Sequence, residues 1–219
     1  MKIPAFVWII GFFVIGGGLL IFLNSNKNKV NSDLKGTLPV QIEVYSDYNC
    51  PHCADFSPFV DEVASTFADK VNITLKHAAF LAPSSSSYAY AAEAAREQGK
   101  FNEFNHALFA WVSFTRDSAN TNFSYTEDEK TFYSQAVDVT KLAERLGLDL
   151  AKFDTDRKSS TIVNRVLDQK AELEDRMGSV STPAVFIYGE QFSLSTYNDL
   201  KTKVQELITQ AESNNNETK

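Results

Sequence analysis

The sequence is poor in cysteine, with two in 219 residues, and it has no excess of positive charge. The two cysteines are Cys50 and Cys53, so they cannot link distant segments as a structural disulfide would. The net charge of −7 argues against the basic face that binding to nucleic acid requires. The pair is therefore a redox couple, part of a metal site, or a pair without function.

Residues 1–23 form a separate N-terminal segment, in which Ile3 to Leu23 is an uncharged apolar stretch. At about 1.5 Å per residue, a helix of this length crosses the roughly 30 Å hydrocarbon core of a bilayer. The apolar part of a cleaved signal peptide is shorter, about 7–15 residues, and ends at small residues that are missing here. We therefore predict an uncleaved transmembrane anchor, with a cleaved signal peptide as the alternative.

The remaining sequence divides into a linker, one folded domain and a tail. Residues 24–38 are rich in Asn and Lys and predict a polar linker, whereas residues 213–219 predict a disordered tail. The domain between them, residues 39–212, carries both strand and helix patterns. Strands are predicted at 40–46, 71–76, 184–188 and 191–194, and helices at 50–68, across a block at about 85–177, and from Ser195 or Thr196 to about 211.

This order of elements predicts an α/β fold. A β-α-β start, followed by two strands joined by a tight turn at Gly189-Glu190, gives a four-stranded mixed sheet flanked by helices. The helical block at 85–177 is predicted to be an insertion between the second and third strands. Breaks in this block are predicted near Gly99, at 115–126 and near Gly147.

The two cysteines lie in the tetrapeptide Cys50-Pro51-His52-Cys53, which follows a predicted strand and opens a predicted helix. Unpaired N–H groups and the dipole at a helix N-terminus favour a thiolate at Cys50. Pro51 falls at the first helical position, where its missing N–H costs nothing. His52 adds an imidazole that can donate to the sulfur or lie beside it as a cation. Cys53, one turn later, is expected to be more buried, so Cys50 is the predicted nucleophile and Cys53 the resolving thiol.

A zinc site is the alternative use of this cysteine spacing. A structural zinc site needs four ligands, and besides the two thiols the sequence offers His52, His77 and His106 without a second pair of cysteines. We therefore predict neither a metal nor a cofactor, and assign no role to His77 and His106.

The sequence around the dithiol resembles the DsbA-like thiol:disulfide oxidoreductases of the thioredoxin superfamily. The resemblance extends from Pro39 to Ile208 and is carried by EVYSDYNCPHCADFSPF, AAEAAREQGKFNEFNHALF, LAERLGLDLAKF and GSVSTPAVFIYGEQF. It implies a thioredoxin fold with a helical insertion. It also implies that Pro51 and His52 tune the reduction potential, and that Thr182-Pro183 is a cis peptide that faces the dithiol and binds substrate.

The sequence departs from the family at one position. The family often has a glutamate six residues before the first cysteine, where this chain has Val44. Glu43 is one residue earlier, and strand alternation points it to the opposite face. Asp47 is a possible substitute, although a turn or capping role is the simpler interpretation.

The resemblance implies a membrane-anchored oxidase that donates the Cys50–Cys53 disulfide to reduced proteins and is reoxidised by a membrane-bound, quinone-linked partner. Such chemistry requires an oxidising compartment, which predicts an extracytoplasmic domain. The lysines instead favour a cytoplasmic domain, because cytoplasmic flanks of membrane spans carry an excess of Lys and Arg, and Lys27, Lys29 and Lys35 follow the apolar stretch. A disulfide reductase or isomerase, and a membrane-tethered chaperone module that binds peptides, are the alternatives.

Overall fold

The computed structural model describes residues 37–119 and 122–217 of the chain. The predicted anchor at 1–23 and most of the predicted linker lie outside these residues. Within the described ranges, no helix combines the length and the apolarity needed to cross a membrane.

This part of the chain contains four strands and eight helices. In chain order they are β1 (Val40–Ser46), α1 (Pro51–Thr66), β2 (Val71–His77), α2 (Pro83–Arg96), α3 (Phe101–Arg116), α4 (Glu127–Tyr133), α5 (Val139–Arg145), α6 (Leu150–Asp156), α7 (Ser160–Met177), β3 (Ala184–Ile187), β4 (Glu190–Phe192) and α8 (Asn198–Glu217).

The four strands form one mixed sheet in the order β2-β1-β3-β4. Strands β1 and β2 are parallel, because α1 provides the crossover that parallel neighbours need. Strand β3 pairs antiparallel with β1 and also with β4. The predicted four-stranded mixed sheet of the thioredoxin fold is thus confirmed.

The turn between β3 and β4 lies one residue earlier than predicted, at Tyr188-Gly189. Both residues have positive φ, 51° and 81°, as a two-residue hairpin turn of this hand requires. Two hydrogen bonds of Tyr188 support this conformation. Its N–H donates to the carbonyl oxygen of Gln41 at 2.9 Å, and its hydroxyl donates to the backbone carbonyl oxygen of Thr37. Strand β4 is therefore Glu190–Phe192 rather than 191–194.

The helical insertion is confirmed, and α2 to α7 occupy nearly the predicted range. The predicted breaks at Gly99 and Gly147 are present, and both glycines have φ near +70°. Two further breaks, before α5 and before α7, were not predicted. They coincide with N-caps, where Asp138 and Ser159 accept hydrogen bonds from backbone N–H groups of the following turn.

Helix α8 is longer than predicted. It runs to Glu217 and so includes residues 213–217 of the predicted disordered tail. The segment is polar, but it contains no glycine or proline that would end a helix.

Helix α1 lies between two hydrophobic cores. One core fills the helical insertion around Leu108 and Trp111 and reaches Cys53. The other lies between the sheet, α1 and α8, and includes Phe56 and Leu200. Because α1 contributes to both cores, its N-terminal end is fixed where the insertion meets the sheet.

Candidate active site

Cys50 is the N-cap of α1, and Pro51 occupies the first helical position as predicted. The preceding turn is closed by the N–H of Cys50, which donates to the carbonyl of Asp47 at 3.0 Å. The sulfur of Cys50 accepts a hydrogen bond from the N–H of Cys53 at 3.4 Å. Both cysteines are free thiols. The site is therefore a reduced dithiol at a helix N-terminus.

Cys50, the predicted nucleophile, is buried in this structure, as is Cys53. Cys50 is 4% exposed and Cys53 is 1% exposed. The segment before β3 covers Cys50, whose thiol lies 3.5 Å from the carbonyl oxygen of Thr182.

The two thiols have opposite acidities. The hydrogen bond from the Cys53 thiol, followed by Thr182 and the N–H groups of Cys53 and His52, lowers the pKa of Cys50 to about 6. Burial, followed by the neighbouring sulfur of Cys50, raises the pKa of Cys53 far above its ordinary value. At neutral pH the site therefore holds a thiolate on Cys50 and a proton on Cys53.

Thr182 and Pro183 lie against the dithiol, and the peptide between them is cis, as the resemblance implied. The hydroxyl of Thr182 is buried and has no hydrogen-bond partner of ordinary geometry. It is nevertheless close enough to both sulfurs to lower the pKa of Cys50 and Cys53. This hydroxyl is therefore available to donate a hydrogen bond to a sulfur that carries a negative charge.

Replacing this hydroxyl should make Cys50 less acidic. In a Thr182→Val variant we expect the pKa of Cys50 to rise from about 6 by about one unit, because a thiolate loses a hydrogen-bond donor. The pH titration of thiolate absorbance at 240 nm measures this shift. A Thr182→Ser variant, which keeps the hydroxyl, should titrate like the parent; equal midpoints for Val and Ser would contradict the role of the hydroxyl.

His52 is exposed and points toward α8. Its Nδ1 lies 3.4 Å from the hydroxyl of Tyr197, whose ring packs against Phe56 and Phe59. Sequence reasoning placed His52 beside the sulfur and did not identify Tyr197. No motif marks this tyrosine, because its place beside the dithiol depends on how α8 returns to α1.

The missing family glutamate is not replaced by a neighbouring acid. Val44 is buried in the core of the sheet. Glu43 points to the other face, as predicted, and pairs with Lys76 at 2.6 Å and Arg176 at 2.9 Å. Neither side chain is therefore a proton acceptor for Cys53.

Asp47 has a structural role in the turn before Cys50, in line with the turn or capping role that was the simpler interpretation of the sequence. It is 2% exposed, and its Oδ1 accepts from the N–H of Asn49 at 2.9 Å and the hydroxyl of Ser85 at 2.7 Å. Its Oδ2 accepts from the N–H groups of Phe80 and Leu81 at 2.8 and 2.9 Å. The carboxylate thus ties the turn before Cys50 to the segment that leads into α2.

A groove of about 350 Å³ opens beside the dithiol. Its walls include His52, Pro183, Gln191, Leu194 and Tyr197. The predicted substrate-binding proline and the predicted catalytic histidine thus line the same groove. Within the described residues, no three His, Cys, Asp or Glu side chains are grouped to hold a metal.

A family model described as thioredoxin matches residues 37–206. Among curated proteins, the chain is 30% identical over 157 residues to the Na(+)/H(+) antiporter NhaA 1 of Mycolicibacterium gilvum, and 28% identical over 155 residues to NhaA 3 of Salinispora tropica. Both matches cover 70% of this chain but only 22% and 21% of the antiporters. The chain thus spans about a fifth of these relatives, and the transport function in their names is theirs.

Solved structures with a similar fold include DsbA from Xylella fastidiosa, with a TM-score of 0.60, 19% identity, and coverage of 82% of this chain and 89% of that chain. The thiol-disulfide exchange protein α-DsbA2 from Wolbachia pipientis has a TM-score of 0.58, 20% identity, and coverage of 84% and 98%. Oxidised BdbD from Bacillus subtilis has a TM-score of 0.57, 17% identity, and coverage of 80% and 95%. At these identities the similarity establishes the fold.

Proposed function

The chain belongs to the thioredoxin family, and we propose that it is a protein thiol:disulfide oxidoreductase that donates the Cys50–Cys53 disulfide to reduced proteins. The observation that carries this proposal is the opposite shift of the two thiol pKa values at the start of α1. The similarity to solved thiol-disulfide exchange proteins supports it through the fold.

The reaction proceeds through a mixed disulfide. A substrate thiolate attacks the sulfur of Cys50, a substrate–Cys50 disulfide forms, and Cys53 leaves as a thiolate that takes up a proton. A second substrate thiolate then attacks the substrate sulfur of this bond and displaces the Cys50 thiolate. Two electrons pass from the substrate dithiol to the enzyme, so the substrate leaves with a disulfide and the enzyme as a dithiol.

The acidity of Cys50 determines the favoured direction. With a pKa of about 6, Cys50 is mostly thiolate at pH 7, which stabilises the reduced enzyme. Stabilising the reduced form makes the disulfide a stronger oxidant. This argument favours a donor of disulfides over a reductase.

The groove beside Pro183 provides a place for the substrate. An extended peptide there would run along the backbone of Thr182 and bring its thiol to the covered sulfur of Cys50. The carbonyl of Thr182, which lies 3.5 Å from that sulfur in the free enzyme, would then accept from the peptide.

The cellular setting belongs to the same proposal. A disulfide donor works in an oxidising compartment, so we place the domain outside the cytoplasmic membrane, tethered by residues 3–23. After each turnover the dithiol requires a new oxidant, and a quinone-linked membrane oxidase would supply it. The substrates are reduced proteins of the same compartment.

The reduction potential of the Cys50–Cys53 couple tests the direction of the reaction. Equilibration with glutathione buffers should give a value well above about −180 mV, the level of protein disulfide isomerase. A value near about −270 mV, the level of thioredoxin, would instead establish a reductase and favour a cytoplasmic domain.

A further inference from the structure

Tyr197 directly precedes α8, in a turn that the carboxylate of Asp199 holds in place. Oδ2 of Asp199 accepts from the N–H groups of Ser195 and Thr196 at 2.7 and 2.8 Å, and Oδ1 accepts from the hydroxyl of Thr196 at 2.7 Å. These three bonds fix the backbone immediately before Tyr197. The side chain therefore leaves α8 from a defined position.

The ring of Tyr197 is held by two aromatic rings of α1. Its centroid lies 5.4 Å from that of Phe56 and 5.5 Å from that of Phe59, within the range in which aromatic pairs attract each other. Tyr197 also lines the groove beside Pro183. Turning the ring away would lose these contacts, so the hydroxyl stays at the mouth of the active site.

The hydroxyl of Tyr197 lies 3.4 Å from Nδ1 of His52, at the long end of hydrogen-bond distances. Burial, followed by the negative charges of Asp55, Cys50 and Cys53, raises the pKa of Tyr197, so the hydroxyl keeps its proton. We assign the hydroxyl as the donor and Nδ1 as the acceptor, which places the proton of the neutral imidazole on Nε2.

This contact directs the imidazole of His52 to a place other than the sulfur of Cys50. The Cys53 thiol lowers the pKa of Cys50 most, and His52 contributes through its backbone N–H. An imidazole beside the sulfur would add a hydrogen bond or a positive charge, and either would stabilise the thiolate further.

Asp55, one turn after His52 on α1, is the acid that can compete for the imidazole. Its Oδ1 accepts from the side-chain amide of Asn122 at 2.7 Å, which draws the carboxylate toward the helical insertion. Tyr197 is therefore the residue that the geometry places on Nδ1.

We propose that Tyr197 is a positioning residue that holds the imidazole of His52 away from the Cys50 thiolate and so limits how strongly the dithiol is favoured over the disulfide. This inference rests on the proposed dithiol exchange. When two glutathione molecules reduce the enzyme, the bond between Cys50 and Cys53 breaks, a bond between the two glutathione sulfurs forms, and two electrons pass to the enzyme. Tyr197 takes no part in these bond changes. It limits the stability of the Cys50 thiolate that they produce, which keeps the dithiol easier to reoxidise.

A Tyr197→Phe variant tests this role, because it keeps the ring and removes only the hydroxyl. The released imidazole can then turn to Cys50. We expect the equilibrium constant for reduction of the disulfide by glutathione to rise about fivefold, the effect of one hydrogen bond. In the reduced protein, the pH titration of thiolate absorbance at 240 nm should show a midpoint about 0.7 unit lower than in the parent, which is the same factor.

Two comparisons separate this role from a merely structural one. In a His52→Ala background, Tyr197→Phe should change the equilibrium constant less than twofold, because no imidazole remains to be released. Tyr188→Phe is the matched control: its hydroxyl donates to the backbone carbonyl of Thr37, and Tyr188 follows β3 whereas Pro183 precedes it. This variant should equilibrate and titrate like the parent.

A parental or lowered equilibrium constant in Tyr197→Phe would overturn the inference. An equal rise in the His52→Ala background would also overturn it, because the effect would not act through His52. The proposed function fails on a different result, a potential of the parent near about −270 mV. The effect of Tyr197 is a ratio between variant and parent, so it can be read at any potential of the parent.

Discussion

A Cys53→Ser variant is expected to accumulate disulfide-linked complexes with its substrate proteins, and a Cys50→Ser variant is expected to form none. The reason is the division of roles at the start of α1, where Cys50 carries the acidic thiol and Cys53 the buried, protonated one. In the variant, the Cys50 thiolate attacks a disulfide of an oxidised substrate protein and displaces one substrate sulfur as a thiolate, and without Cys53 no enzyme thiol can release the mixed disulfide. Non-reducing gels followed by mass spectrometry of the trapped species measure this outcome.

The same variants separate catalysis from simple binding. Oxidation of a reduced, unfolded test protein should fall to the uncatalysed level in Cys50→Ser, because the reaction has no other entry point. The double variant, with serine at both positions, controls for thiol chemistry elsewhere in the assay. If Cys50→Ser still prevented the test protein from aggregating while the parent showed no oxidation, the chain would be a peptide-binding module.

The second large expected effect is a loss of unfolding free energy when Glu93 is replaced. It is fully buried in α2, and three cationic or titratable side chains contact it: His77 at 3.0 Å, Arg96 at 3.1 Å and Arg165 at 2.8 Å. Burial alone would raise the pKa of Glu93, but these contacts lower it from 4.5 to about 2. A carboxylate whose pKa is lower in the folded than in the unfolded state contributes stability above pH 4.5, and this contribution is lost as the pH falls toward 2.

The difference of about 2.5 units corresponds to roughly 3 kcal/mol in the free energy of unfolding at neutral pH. Glu93→Gln should therefore destabilise the protein by about that amount at pH 7. Urea unfolding between pH 2 and 7 should also show a weaker dependence on pH in the variant. Glu97→Gln is the matched control, because Glu97 also contacts Arg165, at 2.9 Å, but on the surface, where about 1 kcal/mol or less is expected. Equal losses of unfolding free energy in the two variants would contradict the larger contribution expected of the buried carboxylate.

The fold was predictable because its local signals agree with one another. Strand β1 begins and ends where the alternation of its sequence predicted, and Pro51 marks the first residue of α1. The redox dithiol was equally predictable, since two cysteines with this spacing at a strand–helix junction have few functions other than redox chemistry. In these places, neighbouring residues in the sequence determine the structure.

Features that depend on distant parts of the chain were not predictable. Tyr197 reaches His52 only because α8 packs against α1, 145 residues away along the chain. The covering of Cys50 by the segment at Thr182 likewise follows from tertiary packing. Local signals also misplaced the turn at Tyr188, because residues other than glycine seldom adopt positive φ.

Both thiols are free, and the described residues nevertheless pack into three hydrophobic clusters. It follows that the described residues need no disulfide to reach this folded state, and that the two cysteines of the sequence have a single intramolecular pairing. Newly made molecules would therefore not depend on an existing pool of active enzyme. Under the proposed function, a cell emerging from reducing conditions would regain disulfide formation as soon as an electron acceptor for the dithiol returned.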